Sequence, residues 1–424
     1  MDRSRKHQSA RGVRTVAMAA VLALALGACE YVVGSNVNTL RSAEGRPALP
    51  VSTVLSDTAR AHSTAMCSAG AVTPSPNAGE EYDPESHGGV YELVGSAPLP
   101  TEVAPGSANL TATNEIWAGW QADPQLTAAR WDDMGVGEVV CGDGRLYMTT
   151  VLRDSPSMPA SGLYSSAQYT PAQLQEIGGL QYGQAINEQG QNQALLLDLY
   201  LPPGTTPAAR PTVVLIHGGG FTGGTRADMR DAARTYAQRG YVAASISYRL
   251  GTPSSIAGAG LLTVAGRAID DAMESVRWLK ANATTYRIDS GRVAAVGFSA
   301  GGAIALGVAV ASDPTPGGPL AAFTPAVAAA VSTGAHITPG IGTGLVGFEA
   351  TDAPVLMFHY GTDSATGDSS AYAFETCTAV RASGNTCDFV TQPGSGHTTN
   401  LSGGGTWWTP ELGPFLWEHL GLAG

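Results

Sequence analysis

Apolar positions in the second half of the chain follow two rhythms. Thr212-Val-Val-Leu-Ile216, Tyr241 to Tyr248, Val293 to Val296 and Val355 to Phe358 are short, continuous apolar runs. Runs of this length without polar alternation predict strands buried on both faces. Between them, Asp228–Arg239 and Val264–Ala281 carry apolar residues at helical spacing among good helix formers. Alternating strand and helix predict a mostly parallel sheet with helices on both faces, an α/β unit, over residues 176–424. The first half lacks this alternation. Leu55 to Met66 has helical spacing, and the chain from Cys29 to about Asp154 reads as one separate compact unit. Residues 155–175, which include Pro156, Pro159 and Gly162, read as a linker.

The N-terminus has a third pattern. Arg3, Arg5, Lys6, Arg11 and Arg14 precede an apolar run from Val16 to Ala28, and the run ends in Leu26-Gly27-Ala28-Cys29. A basic head and an apolar stretch this short are the layout of a signal peptide over residues 1–28. A bilayer-spanning helix needs roughly 20 apolar residues. Leu-Gly-Ala-Cys resembles a bacterial lipobox, which implies lipid attachment at Cys29 and residence on the outer face of the cytoplasmic membrane. An ordinary secretory signal, with secretion, is the other reading.

Composition narrows the partners. At 424 residues the chain is too long for one ordinary core, so two folded domains are expected. A hydrophobic fraction of 43% is a globular value, and it argues against extended disorder. A net charge of −12 leaves no basic face for neutralising phosphates, which argues against nucleic acid as a partner. Export would place the cysteines where disulfides persist. Pairing Cys67 with Cys141 and Cys377 with Cys387 respects the division into two units, although sequence does not fix connectivity. Closing the shorter loop contributes about 2–3 kcal/mol in the chain-entropy account. Neither pair has the spacing of a metal site, and no metal is expected.

The candidate chemistry lies in the second unit. Gly297-Phe298-Ser299-Ala300-Gly301 fits Gly-x-Ser-x-Gly, though in a chain with 54 glycines the pentapeptide alone carries little weight. Its context carries more: Arg292-Val-Ala-Ala-Val296 before it is strand-like, and the small residues after it open a helix. A sharp strand-to-helix turn leaves a serine hydroxyl exposed, with the following amide at a helix N-terminus. His217-Gly218-Gly219-Gly220-Phe221 ends another strand, and its glycines let backbone amides face a developing oxyanion. The expected donors are Gly219, Gly220 and Ala300, with His217 structural. A serine nucleophile needs a base and an orienting acid. His397, in Pro393-Gly-Ser-Gly-His397 beyond a strand-like run, is the expected base; His336, His359 and His419 read as packing or surface residues. The acid is Asp363, in His359-Tyr-Gly-Thr-Asp363, or Asp368.

These residues resemble the α/β-hydrolase superfamily, in its esterase and lipase branch with a His-Gly-Gly-Gly loop, over about Gly178 to Leu422. Leu197-Asp-Leu-Tyr-Leu-Pro202, Ser247-Tyr-Arg249 and Asp270 to Trp278 add to the likeness. The resemblance implies hydrolysis of carboxylic esters through an acyl-enzyme, with no metal or organic cofactor. It also implies that Gly251–Gly266 and Pro314–Ala350 shape the acyl pocket.

In the first unit, Asn38-x-x-Arg41-x-x-x-Gly45, Trp120-Gln-Ala-Asp-Pro124 and Met134-Gly-Val-Gly137 resemble the CAP superfamily of α-β-α sandwich domains, over 34–154. That family often has a cavity with two His and two Glu. Glu92 and Glu115 fall near the Glu positions, Leu126 occupies the second His position, and His62 and His87 are the candidates for the first. A smaller α+β domain acting as a binding or presentation module, with cell-envelope material as a possible ligand, is the expectation. The whole reads as an exported serine ester hydrolase acting on small-molecule or lipid esters. A catalytically silent adhesion or scaffold protein and a serine peptidase are the alternatives.

Overall fold

The structure is a computed structural model, and it describes residues 29–422 except 76–77, 79–89, 103–104, 129–130, 155–157, 160, 259, 311–319, 338–347, 369, 399–407 and 409–410. The signal segment 1–28 and His87 therefore lie outside the described residues, as do parts of the linker and of both expected insertions. The chain divides into two compact units, one of residues up to Pro156 with the short segment Cys377–Ala382, and one of the remaining residues from Ser157.

The first unit begins with helix α1 (29–43) and helix α2 (Thr53–Ala69). Ser52 caps α2 by accepting from the Leu55 amide, and Gly70 ends it in the left-handed region, φ 62°. Strand β1 (Val90–Pro98), helix α3 (Pro105–Trp120) and strands β2 (Asp133–Val140) and β3 (Arg145–Arg153) follow. The strands form an antiparallel sheet in the order β1-β3-β2. Strand alternation sends Met134, Val136, Leu146, Met148 and Leu152 to one face, where they pack with Val33 and Val37 of α1 and Ala112, Ile116 and Trp120 of α3. On the other face Val151 packs with Leu55 and Ala59 of α2. Helices on both sides of one sheet make this unit an α-β-α sandwich. A disulfide joins Cys67, near the end of α2, to Cys141, just past β2.

The second unit is built on eight strands: β4 (Gln175–Ile186), β5 (Asn192–Leu201), β6 (Arg210–Ile216), β7 (Val242–Ile246), β8 (Ile288–Phe298), β9 (Ala329–Thr333), β10 (Val355–Asp363) and β11 (Cys387–Gly396). Their order is β4-β5-β7-β6-β8-β9-β10-β11. Only β5 runs against its neighbours β4 and β7; every pairing from β7 to β11 is parallel. Helices α4 (Arg230–Gln238), α5 (Gly260–Ala281), α6 (Ala300–Val310), α7 (Ser370–Ala382) and α8 (Leu412–His419) accompany them. β6, β7 and β9 are buried at every position, which is why the sequence shows continuous apolar runs at β6 and β7. Each fully buried Val or Leu in these strands contributes about 1.5–3 kcal/mol. This is the α/β-hydrolase fold, preceded by the smaller sandwich unit.

Most expected elements appear with small changes of boundary. The helix expected at Asp228–Arg239 begins instead as a 3-10 turn, Arg226–Met229, on which Thr225 and Asp228 close a capping box. β9 was not foreseen, because Ala329-Ala-Val-Ser-Thr333 is rich in alanine, a poor strand former. Cys377 and Cys387 are both disulfide-bonded, and with Cys67 paired to Cys141 and Cys29 free they pair with each other. Cys29, the expected lipid attachment site, is buried in the core of the first unit. Burial pushes its thiol up to about 12, with Glu138 adding to the effect.

Candidate active site

Ser299 stands between β8 and α6, one residue past the strand. Its φ of 54° lies in the left-handed region, the strain a sharp strand-to-helix turn imposes on a non-glycine residue. Two backbone bonds hold it there: its amide donates to the Thr333 carbonyl at 2.9 Å, and its carbonyl accepts from Ala303 at 3.1 Å. Small neighbours are a steric necessity. A Cβ on Gly301 would lie 2.1 Å from the Ile216 carbonyl oxygen and 2.5 Å from that of His217. The start of α6 is therefore pressed onto the end of β6, where the His217–Phe221 loop begins.

That loop is held from beneath. The Tyr248 hydroxyl donates to the His217 carbonyl at 3.0 Å, and its ring stacks on the His217 imidazole at 4.3 Å. Arg249, the next residue, is fixed by Asp271 of α5 through its guanidinium and its backbone amide. His217 is buried, its Nδ1 donates to the Gly218 carbonyl at 2.7 Å, and burial lowers its pKa. Stacked on Tyr248, it serves the loop as a packing residue. The amides of Gly219, Gly220 and Ala300 donate to no acceptor among the described residues. Gly219 and Gly220 lie exposed, where solvent can satisfy their amides, and Ala300 opens α6, whose first amides have no intrahelical acceptor.

His397 follows directly after β11. Its Nε2 lies 2.8 Å from Ser299 Oγ, and its Nδ1 lies 2.7 Å from Oδ2 and 2.9 Å from Oδ1 of Asp363. A carboxylate can only accept, so Nδ1 carries the proton and Nε2 presents a lone pair to the serine hydroxyl. Gly334, with φ 63°, lets the chain after β9 pass beneath His397: a Cβ there would lie 1.9 Å from the His397 carbonyl oxygen. Asp363 is buried, and its Oδ1 also accepts from the amides of Ala365 at 2.8 Å and Thr366 at 3.0 Å. Burial works against its charge, yet these bonds outweigh burial and hold its carboxyl below the ordinary value.

Between the two candidate acids the geometry discriminates. Asp368 Oδ2 pairs with His336 Nε2 at 3.3 Å, and it is Asp363 that meets His397. The means is an irregularity in β10–β11 pairing. From Tyr360 to Thr362 the ladder advances two residues on β10 and three on β11, from Gln392 to Ser395, so that Asp363 comes opposite Gly396, the neighbour of His397. His359, read as a packing residue, is buried on β10 with Nε2 3.8 Å from Asp363 Oδ2.

A cleft of about 460 Å3 opens beside the loop, lined among others by Asn187, Gln193, Thr225, Arg226, Leu250 and Gly251. Of the expected pocket segments, Gly251–Gly266 contributes Gly251 to it, and 338–347 of the other lies outside the described residues. In the first unit His62 Nε2 lies 3.7 Å from Glu92 Oε1, whose partner oxygen accepts from Ser75 at 2.6 Å. Glu115 does not join them, since its position on α3 faces solvent. Among the described residues no set of three or more His, Cys, Asp or Glu could hold a metal, and no helix is long and apolar enough to cross a membrane. Glu138, which sequence reasoning missed, is fully buried on β2, and neither carboxylate oxygen has a hydrogen-bond partner among the described residues. Burial, with Glu30 adding to it, pushes its pKa well up.

Residues 197–323 match the model of the BD-FAE family, and residues 35–152 match that of the cysteine-rich secretory protein (CAP) family. The first match holds the glycine loop and Ser299 but stops short of Asp363 and His397. Phenmedipham hydrolase of Pseudarthrobacter oxydans is 32% identical over 145 residues, 33% of this chain and 29% of that protein. The medium-chain fatty acyl-CoA hydrolase precursor of Anas platyrhynchos is 29% identical over 156 residues, 35% of this chain and 28% of that protein. A non-reducing polyketide synthase, mapC of Penicillium brevicompactum, is 31% identical over 153 residues, 34% of this chain and 6% of that protein. This chain thus spans less than a third of the length of each of these curated relatives. A thermophilic esterase of Thermogutta terrifontis has a solved structure at 23% identity and a TM-score of 0.43, covering 57% of this chain and 89% of that one. The chain joins a unit similar to the CAP family to an α/β-hydrolase unit whose first half is similar to the BD-FAE family.

Proposed function

We propose that the chain is a serine carboxylic-ester hydrolase that works through an acyl-enzyme. The observation that carries this reading is the single line of contacts from Ser299 Oγ to His397 Nε2 at 2.8 Å and from His397 Nδ1 to Asp363 at 2.7 Å. In this reading His397 takes the Ser299 proton at Nε2 as Oγ attacks the ester carbonyl. Asp363 holds the Nδ1–H tautomer and stabilises the imidazolium that forms. The carbonyl oxygen becomes negative facing the amides of Gly219, Gly220 and Ala300, and in a well-studied protease each such donor is worth roughly 3–4 kcal/mol. His397 then protonates the departing alcohol, and water, activated in the same way, releases the acid.

The first unit acts in this reading as a binding or presentation module for envelope material. Export, with lipid attachment at Cys29, completes it. Attachment requires the first turn of α1 to leave the core, because the Cys29 thiol is fully buried there. Mass spectrometry of the mature N-terminus tests this directly, and a chain retaining residues before Cys29 would contradict it. The enzymatic reading is tested with p-nitrophenyl esters of increasing acyl length against wild type and Ser299→Ala. Loss of turnover in the variant is expected; undiminished turnover would sink the assignment. The preferred chain length separates esterase from lipase.

A further inference from the structure

Beside the Ser299–His397–Asp363 line stands a second imidazole in the same strand as the acid. β10 carries His359 and Asp363 four residues apart, so strand periodicity puts both on one face, and Gly361 between them carries no side chain. His359 is buried, with Nε2 3.8 Å from Asp363 Oδ2. Its Nδ1 lies 2.8 Å from the Tyr360 carbonyl oxygen, which can only accept, so Nδ1 carries the ring proton. The neutral ring therefore turns a nitrogen without hydrogen toward Oδ2. Oδ1 is already occupied by the amides of Ala365 and Thr366. His397 Nδ1 reaches both oxygens, at 2.9 Å from Oδ1 and 2.7 Å from Oδ2, and among the described residues it is the one donor on Oδ2.

We propose that His359 is a positioning residue that keeps Oδ2 of Asp363 reserved for His397. The inference rests on the reading of Ser299, His397 and Asp363 given above. Its physical content is exclusion. A hydrogen-bond donor at this place would share the charge of Oδ2, on which the strength of the charge-assisted bond from His397 depends. The other ionisable groups nearby leave the role to His359. His336, on the segment after β9, has its ring 6.4 Å from that of His359 but gives its Nε2 to Asp368, and the Asp368 backbone carbonyl takes the Asp363 amide at 2.7 Å. His397 approaches Asp363 from the end of β11. Burial lowers the pKa of His359, with His336 and His397 adding to the effect and Asp363 opposing it, so the ring stays neutral near pH 7.

The test compares His359→Gln, which brings a rotatable amide donor to the place of Nε2, with His359→Asn, which keeps a donor for the Tyr360 carbonyl and leaves that place empty. Two readouts are taken: kcat and KM on p-nitrophenyl acetate, and the downfield NMR resonance of the His397 Nδ1 proton. In the Gln variant kcat should fall about fivefold with KM within about twofold, and the resonance should move upfield as the bond to Asp363 weakens. In the Asn variant the resonance should stay where it is in wild type. An unmoved resonance in the Gln variant, or equal shifts in both variants, would overturn the proposal, the latter assigning His359 to packing alone. If Ser299→Ala hydrolysed the ester as well as wild type, the hydrolase reading would fall. The resonance comparison would still decide the role of His359.

Discussion

Replacing Asp363 with Asn changes one oxygen for an NH2 group, and the structure dictates which one. Oδ1 accepts from two backbone amides at 2.8 and 3.0 Å, a place an NH2 group cannot occupy without facing two donors. The amide oxygen therefore stays there, and the NH2 takes the place of Oδ2, 2.7 Å from His397 Nδ1. Nδ1 then faces a donor at 2.7 Å and keeps only the amide oxygen at 2.9 Å as an acceptor for its proton, so the tautomer that accepts at Nδ1 is favoured. The ring proton moves to Nε2, which at 2.8 Å from Ser299 Oγ becomes a donor and cannot take the serine proton. A wrong tautomer of this kind costs a serine protease about 10⁴ in kcat, equivalent to about 5.5 kcal/mol of barrier. Asp363→Asn should lose activity on that scale while the thermal midpoint changes little, because both backbone amides keep their acceptor. Steady-state kcat on p-nitrophenyl acetate, with circular-dichroism melting as the control, measures both. A loss smaller than about tenfold would refute the argument, whereas Asp368→Asn, whose carboxylate meets His336, should stay within about threefold of wild type.

Three further outcomes follow from packing, covalent and charge features. Gly301→Ala forces a methyl group to within 2.1 Å of a main-chain oxygen that has no room to retreat, and should lower stability by about 3 kcal/mol or more and abolish turnover. Melting and ester hydrolysis would show it. Cys67→Ser with Cys141→Ser opens a loop of sequence separation 74 and should cost about 4 kcal/mol by chain entropy, read in urea titrations of the first unit's transition. Glu138 has a raised folded pKa, so its contribution to stability is fully present below the unfolded carboxyl pKa and is lost as pH rises toward the folded one. Glu138→Gln should therefore raise the melting midpoint at pH 7 and give little gain at pH 4; an equal gain at both pH values would contradict the burial argument.

Features written in neighbouring residues could be read directly. The apolar runs of β6, β7, β8 and β10, the helices between them, and the serine between a strand and a run of small residues are local patterns, fixed by burial on both faces of a strand and by helical periodicity. The two disulfide pairs are those that respect the division of the sequence into two units, although sequence does not fix connectivity. The sequence left open whatever depends on how distant segments come into register. β9 is apolar but alanine-rich, and what makes it a strand is its place between β8 and β10, where its Thr333 carbonyl takes the Ser299 amide. Glu92 and Glu115 looked equivalent as a pair, until α3 turned one to solvent and the other met His62. Asp363 and Asp368 differ by five positions in one loop, and nothing local ranks them. A single extra residue in β11 against β10 brings Asp363 opposite Gly396, and with it the carboxylate to His397. Pattern alone determined that a serine would stand at the head of a helix. Its partners were decided only by strand register, because hydrogen bonds between side chains 34 and 98 residues apart are set by the pairing of the backbones that carry them.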